Sequence, residues 1–196
     1  MTMKNDRDYR TFEVEARSID GSDDLLVEGY AATFNSPTVL YSYDGVDYKE
    51  VIDARAFEGA DMSDVIFNYN HGGKVVARTR NNTLELTTDS RGLHIRAKVG
   101  GTVEGRNLHQ EIRDGYIDRM SFRFAVAEDS YDRKTQTRTI LKFKKIYDVS
   151  AVDIPAYDDT SIQARSFFEA EAEKMKREAE DAEKRQRLLL LIDTIS

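Results

Sequence analysis

The chain has 196 residues, of which 40% are hydrophobic and 33% charged, and its formal net charge is −7. This composition predicts a globular domain with a polar extension, and the negative charge argues against nucleic acid as a partner, because phosphate binding needs a basic surface. The absence of cysteine excludes disulfides, thiolate metal sites and a cysteine nucleophile. The sequence shows neither a long apolar run nor a signal peptide, which predicts an intracellular protein that does not span a membrane.

The first half of the chain alternates between short strands and turns. Residues 9–17 and 25–34 both show strand periodicity, and the turn signals at 20–24 predict that they form a hairpin. Residues 35–48 are predicted to form a long polar and aromatic loop. Further short strands are predicted at 65–71, 75–77, 83–88 and 92–99. Closely spaced strands of this kind favour a β-barrel or sandwich over a doubly wound sheet.

The second half begins with a predicted helix over residues 102–114, which has a capping threonine and apolar residues at helical spacing. This helix leads into the alternating segment 118–126, which predicts a strand that carries Ser121. Two more strands are predicted at 137–146 and 148–156, the second ended by a proline. We find no internal repeat.

The end of the chain has a different composition from the rest. Residues 166–196 contain neither glycine nor proline, and acidic residues alternate with basic ones at helical spacing, as in Glu173 and Arg177. We therefore predict two parts, a domain at 1–165 and a charged helical extension at 166–196. The apolar residues 188–192 at the end of this helix are expected to contact a partner.

The candidate chemistry depends on His71, Ser121 and Asp148, which come from three separate predicted elements. A serine hydrolase needs a nucleophile, a base that removes its proton, and an acid that orients the imidazole. These residue types alone leave simpler interpretations open, in which Ser121 is a polar residue on a strand surface and His71 is a strand-end histidine. The glycine-flanked serine of α/β-hydrolases is absent, and neither a metal-ligand spacing nor a cofactor motif is present, so we expect no metal and no cofactor.

Three blocks of sequence occur together in a specific order. They are Asn70-His71, Asp118-Arg119-Met120-Ser121-Phe122-Arg123-Phe124, and Asp148-Val149-Ser150-Ala151-Val152-Asp153-Ile154-Pro155-Ala156. In this order they resemble the prohead (capsid maturation) proteases of tailed bacteriophages, which are related in fold to the herpesvirus assembly proteases. The resemblance runs from about Phe12 to Arg165 and also includes residues 29–34 and 50–57.

The resemblance implies a fold and a set of roles. The expected fold is α+β but mainly β, a closed or partly closed herpesvirus-protease-like barrel with flanking helices and a long C-terminal helix. Ser121 would be the nucleophile, His71 the base and Asp148 the third member. The protein would then be a serine endopeptidase that cleaves the scaffolding protein, the major capsid protein or itself during head maturation. It would self-associate and act inside the assembling prohead in the host cytoplasm, without nucleic acid or membrane as a partner.

Several positions depart from the family pattern or leave a choice open. Arg123 stands where the family often has glycine, and it belongs with Phe122 and Asn70 to the predicted substrate and oxyanion neighbourhood. The interpretation that we favour for Arg123 itself is an exposed strand arginine. Asp148 stands where the third member is often glutamate, and Asp153 is a possible substitute for it.

Two other classes of function remain open from the sequence. One is a catalytically inactive, protease-like protein that serves in capsid assembly or as a scaffold. The other is a β-barrel binding module unrelated to proteolysis, which predicts that Ser121 and His71 do not lie within hydrogen-bonding distance of each other.

Overall fold

A computed structural model describes residues 8–13, 25–43, 45–153 and 161–195 of the chain. The chain divides into two compact units, Met1–Thr160 and Ser161–Ser196. The first unit is mainly β-structure, and the second is a helix. In the described part of the chain, no helix is both long enough and apolar enough to cross a membrane.

Ten strands and two α-helices make up the described residues. The strands are β1 (Asp8–Glu13), β2 (Leu26–Thr33), β3 (Thr38–Tyr43), β4 (Val46–Ile52), β5 (Ile66–Tyr69), β6 (Gly72–Arg78), β7 (Leu84–Thr88), β8 (Gly92–Lys98), β9 (Arg119–Asp132) and β10 (Thr137–Val152). The helices are α1 (Val103–Arg113) and α2 (Ser161–Ile195), and a short 3-10 helix lies at Thr79–Asn81. The prediction of a mainly β protein that also contains helices is therefore confirmed.

The strands form two sheets that remain open, so the predicted closed or partly closed barrel is not supported. The larger sheet has the order β1-β9-β10-β4-β3, with β5 on the same side of β10 as β4 and with β6 beside β5. The smaller sheet has the order β2-β8-β7. A barrel needs its first and last strands to pair with each other. Among the described strands, β1, β3 and β6 each pair along one edge only.

Two predictions about the first strands are wrong. β1 pairs with β9 and β2 pairs with β8, so these strands lie in different sheets and do not form a hairpin. The predicted turn between them lies outside the described residues. The predicted loop at 35–48 contains β3 and the start of β4, which pair with each other and stack Tyr41 on Tyr48 at a centroid distance of 4.6 Å. Strand periodicity reports which side chains are buried but not which strand is the partner.

β10 is one long strand, where the sequence predicted two. Its first part pairs with β4 and its last part with β5, both in parallel. Register shifts against β9 between Ile140 and Asp148 mark β-bulges or irregular pairing in the middle of the strand. In this middle part, Asp61 bridges Lys145, and the Phe143 amide donates to the Ala56 carbonyl at 2.8 Å. Bulges bend a strand, and the bend gives β10 room for two different partners on one side.

An aromatic cluster fills the core beneath the larger sheet. Phe57, Phe122, Phe124 and Phe143 are all buried, with neighbouring ring centroids 4.5 to 6.1 Å apart. Aromatic rings at such distances add to the free energy gained from burying their apolar surface.

The predicted helices are confirmed, although their bounds differ from the predicted ones. In α1, the side chain of Thr102 accepts a hydrogen bond from the Gly105 amide at 2.9 Å, as expected for an N-cap. α2 is a continuous helix in which residues 172–187 are exposed, and Arg177 lies 3.5 Å from Glu173. The division into domains at 1–165 and 166–196 stays a prediction.

Candidate active site

Pairing between three strands gathers polar side chains on one face of the larger sheet. Ser121 on β9 lies opposite Ser150 on β10, and Ser150 lies opposite Asn68 on β5. Side chains directly opposite each other project from the same face, and so do residues two positions apart along a strand. Arg123 and Asp148, which also form a pair, therefore join the same face. We call these five residues the polar face.

The residues between them form the opposite, apolar side of the same strands. Met120, Phe122, Val149 and Ala151 are all buried in the core. The side chain of Phe122, which was predicted to neighbour the substrate, thus belongs to the aromatic cluster. Its position follows from strand alternation, because its neighbour Ser121 projects from the other side.

His71 reaches the polar face from a tight turn between β5 and β6. Tyr69 pairs with Gly72, and the two residues between them, Asn70 and His71, have φ angles of +49° and +54°. Positive φ at both central positions defines the type I′ turn that suits a two-residue hairpin. Residues other than glycine rarely adopt this conformation, although asparagine and histidine do so more often than most.

The imidazole of His71 joins a hydroxyl to a carboxylate. Its Nε2 lies 2.7 Å from the Ser121 Oγ, and its Nδ1 lies 2.5 Å from an Asp148 carboxylate oxygen. The side chains of His71 and Asp148 are 11% and 3% exposed, and Ser121 is fully buried. This is the geometry in which an imidazole can take a proton from a serine while a carboxylate orients the ring. It contradicts the binding-module hypothesis, which predicted that Ser121 and His71 would be apart.

Arg123 is not the exposed strand arginine that the sequence favoured. Its side chain is 18% exposed, its Nε lies 3.4 Å from the second carboxylate oxygen of Asp148, and one of its terminal nitrogens donates to the His71 carbonyl at 3.2 Å. Arg123 lies two residues from Ser121 and opposite Asp148 in the sheet, so its guanidinium is directed along the polar face. It brings a positive charge to a carboxylate that is otherwise deeply buried.

Asp153 contacts a different set of residues from Asp148. Its carboxylate accepts hydrogen bonds from the Tyr69 hydroxyl at 2.7 Å and from the Asn70 side-chain amide at 3.0 Å. The bond to Asp153 raises the pKa of the Tyr69 hydroxyl above its ordinary value. Asp153 therefore supports the turn that carries His71, whereas Asp148 contacts the imidazole itself.

Sequence reasoning missed two members of the polar face, Asn68 and Ser150. Both are buried, and the Ser150 hydroxyl donates to the Asn68 side-chain oxygen and accepts from the His71 amide at 3.1 Å. The sequence offers one signal for Ser150, which is its position two residues after Asp148 in an apolar strand. Asn68 becomes recognisable only once the pairing of β5 with β10 is known.

A groove of about 800 Å3 borders the turn that carries His71 and lies between β6 and α1. Its walls carry the exposed aromatic rings of Tyr69 and Tyr116 together with charged side chains. Among these, Lys74 forms an ion pair with Glu104 that holds the pKa of Glu104 below its ordinary value. No group of three histidine, aspartate or glutamate side chains in the described ranges is arranged to hold a metal ion.

A serine hydroxyl, an imidazole and a carboxylate joined by two hydrogen bonds are the arrangement of a serine-type hydrolase. The model of the caudovirus prohead serine protease family matches residues 12–178, and the chain belongs to this family. It is thus a bacteriophage protease of the capsid maturation class.

A solved structure shows that the fold is shared. The bacteriophage T4 capsid assembly protease, gp21, superposes with a TM-score of 0.53 and 16% sequence identity, over 74% of this chain and 96% of that one. At this identity the likeness concerns the fold alone. No curated protein sequence gives a significant match.

Proposed function

We propose that the protein is a serine endopeptidase that cleaves the scaffolding protein, the major capsid protein and itself during maturation of a phage head. The observation that carries this proposal is the pair of hydrogen bonds that joins Ser121, His71 and Asp148. In this proposal His71 is the base, Ser121 the nucleophile and Asp148 the acid that orients the imidazole. Family membership and the T4 capsid assembly protease support the choice of substrates.

The first half of the reaction forms an acyl-enzyme. His71 accepts the proton of Ser121 at Nε2 while the serine oxygen attacks the carbonyl carbon of the scissile peptide bond. The resulting imidazolium is stabilised by Asp148 at Nδ1, and it then gives its proton to the leaving amine as the peptide bond breaks. The resting site already contains the hydrogen bond between Ser121 and Nε2 along which the first transfer takes place, and the bond between Nδ1 and Asp148 that stabilises the imidazolium.

The second half of the reaction restores the enzyme. Water attacks the ester carbonyl as His71 takes one of its protons, and the same proton returns to the Ser121 oxygen when the ester bond breaks. The overall result is hydrolysis of one peptide bond, and side chains alone supply the acid and the base.

The substrate has to reach a nucleophile that is buried in the resting site. Ser121 has no exposed surface, so a substrate carbonyl can contact its Oγ only after the site opens. The groove beside His71 offers a place for the peptide, because β6 has an unpaired edge among the described strands and lies along this groove. An extended peptide can bind such an edge by adding to the sheet.

Attachment to partners would raise the local concentration of substrate. We propose that α2 attaches the protease to capsid or scaffolding subunits or to a second copy of itself, inside the assembling prohead in the host cytoplasm. High local concentration inside the shell would allow a modest catalyst to suffice.

The test is the intact mass of each protein after the chain is expressed together with the major capsid and scaffolding proteins of the same phage. Ser121→Ala should leave every protein at full length, while the wild type shortens at least one of them. Ser130→Ala is the matched control, because Ser130 lies exposed on the same strand, β9, and should process as the wild type does. Full-length products with the wild type would favour an inactive assembly protein instead. Equal processing by Ser121→Ala would remove Ser121 as nucleophile.

A further inference from the structure

The mechanism above needs one particular form of His71. Its Nδ1 has to carry a proton, so that it can donate a hydrogen bond to Asp148, and its Nε2 has to be free of a proton, so that it can accept one from Ser121. A neutral imidazole has two tautomers, and only one of them meets both conditions. The ring also has to remain in place although its backbone occupies the uncommon left-handed region at φ +54°.

Ser150 touches His71 at two atoms. Its Oγ lies 3.1 Å from the His71 peptide nitrogen and 3.1 Å from the ring Nδ1. The peptide N–H can only donate, so the Ser150 oxygen accepts this bond. Because Ser150 is fully buried, bulk water does not compete for its hydroxyl.

The single proton of the Ser150 hydroxyl points away from His71. The hydroxyl donates to the side-chain oxygen of Asn68, which is itself 4% exposed, and the Asp148 carboxylate at 3.3 Å is a second acceptor for it. With its proton directed to either acceptor, the Ser150 oxygen presents lone pairs alone to His71. This lone pair, at 3.1 Å, acts together with the Asp148 carboxylate, at 2.5 Å, in favouring the tautomer that carries a proton on Nδ1.

We propose that Ser150 and Asn68 are positioning residues that hold the His71 turn, so that the ring stays against Asp148 in its Nδ1–H tautomer. Ser150 acts on the peptide nitrogen and the Nδ1 side of His71, whereas the Ser121 Oγ is hydrogen-bonded to Nε2. The role of this pair in catalysis depends on the proposed function, but its effect on the histidine ring does not. The two can therefore fail separately.

The experiment uses the full chain with 15N-labelled histidine, in which NMR spectroscopy reports which ring nitrogen carries the proton. The sequence has three histidines, and a His71→Gln spectrum identifies the signal of His71. We expect a single Nδ1–H form in the wild type and a mixture of forms in Ser150→Ala. The free energy of one buried hydrogen bond corresponds to a change in rate of about tenfold to a hundredfold. The rate at which Ser150→Ala processes the capsid or scaffolding protein should fall by that factor.

A matched control separates positioning from a general loss of stability. The hydroxyl of Thr79 accepts the Val65 amide at 2.9 Å just before β5, so Thr79→Val also removes a hydroxyl that accepts a backbone N–H bond. This variant should keep the wild-type His71 spectrum and processing rate. Asn68→Leu, which removes one of the two acceptors of the Ser150 proton, should change the His71 spectrum in the same direction as Ser150→Ala and replaces it if that variant does not fold.

Each outcome decides the matter. An unchanged His71 spectrum in both Ser150→Ala and Asn68→Leu would overturn the proposal, and so would an equal change in Thr79→Val. If the spectra change as expected but the wild type cleaves neither capsid nor scaffolding protein, the positioning of His71 stands and the proposed function fails.

Discussion

Asp148 and Asp153 lie five residues apart, and each contacts the turn that carries His71 in a different way. Asp148 is 2.5 Å from the imidazole Nδ1, whereas Asp153 accepts bonds from Tyr69 and the Asn70 side chain. The structure therefore offers a physical reason to assign the orienting role to Asp148. The orienting group has to accept a hydrogen bond from the imidazole Nδ1–H, and the Asp148 carboxylate is in place to do so.

We predict that Asp148→Asn lowers the processing rate by about 10³- to 10⁴-fold, because an amide can donate to Nδ1 and favour the wrong tautomer. The matched variant Asp153→Asn keeps an oxygen that can accept from Tyr69 and should reduce the rate by less than about tenfold. Both rates can be followed by intact mass in the presence of the capsid and scaffolding proteins. A larger loss in Asp153→Asn than in Asp148→Asn would reverse the assignment.

Helix α1 shows how a local rule can be overruled by packing. Alanine is ordinarily favoured over glycine inside a helix by about 1 kcal/mol. At Gly105, however, a Cβ atom would lie 2.0 Å from the Val99 carbonyl oxygen and 2.9 Å from the Thr102 hydroxyl. The first contact is with backbone and cannot be relieved by turning a side chain. The glycine allows the start of α1 to lie directly against the end of the preceding segment.

We therefore predict that Gly105→Ala lowers the free energy of unfolding by about 1–3 kcal/mol, against the helix propensity, because the helix start has to move away from Val99. Gly101→Ala is the control, since a Cβ there would meet no atom within 4 Å, and its effect should stay within about 0.5 kcal/mol. Denaturant unfolding of the two variants measures both values. A stabilised Gly105→Ala would show that α1 can shift at little cost.

Features that depend on nearby residues could be predicted from the sequence, whereas features that depend on the pairing of distant strands could not. Local pattern located most of the strands, the Thr102 cap and α1, since these depend on nearby residues, but it missed β3. It failed on the first hairpin and on the barrel, which depend on partners distant in the chain. The same division applies to the site. The motifs named His71, Ser121 and Asp148, whereas the contacts of Arg123 and Ser150 follow from register between β9 and β10, which no local pattern encodes.

The packing of the first unit depends on the segment between β4 and β5, which runs along one side of β10. Two carboxylates of this segment form ion pairs. Asp61 contacts Lys145 at 2.6 Å, and Asp64 forms two bonds with Arg78 at 2.6 and 2.7 Å. The bond from Lys145 holds the pKa of Asp61 below its ordinary value, and the bonds from Arg78 do the same for the pKa of Asp64. Both carboxylates are partly exposed, so salt weakens these pairs.

These two lowered pKa values predict how stability changes with pH. In the unfolded chain the pKa of an aspartate is about 3.9, so that chain takes up protons at a higher pH than the folded protein does. The contribution of each pair is therefore fully present above about pH 4 and is lost as the pH falls through the lower, folded pKa. The folded protein loses the ion pair only when its own carboxylate is protonated.

We predict that Asp64→Asn is less stable than the wild type at pH 7 and that the difference shrinks as the pH is lowered through this window. A protonated aspartate and an asparagine have similar shapes and no charge, so the two proteins converge once Asp64 is protonated. Arg78→Gln and the double variant complete a cycle that isolates the pair from other acids in the chain. Unfolding free energies from denaturant titrations at a series of pH values measure the coupling free energy between Asp64 and Arg78. If this coupling stays constant as the pH falls below the folded pKa of Asp64, the two residues do not stabilise the fold through their charges.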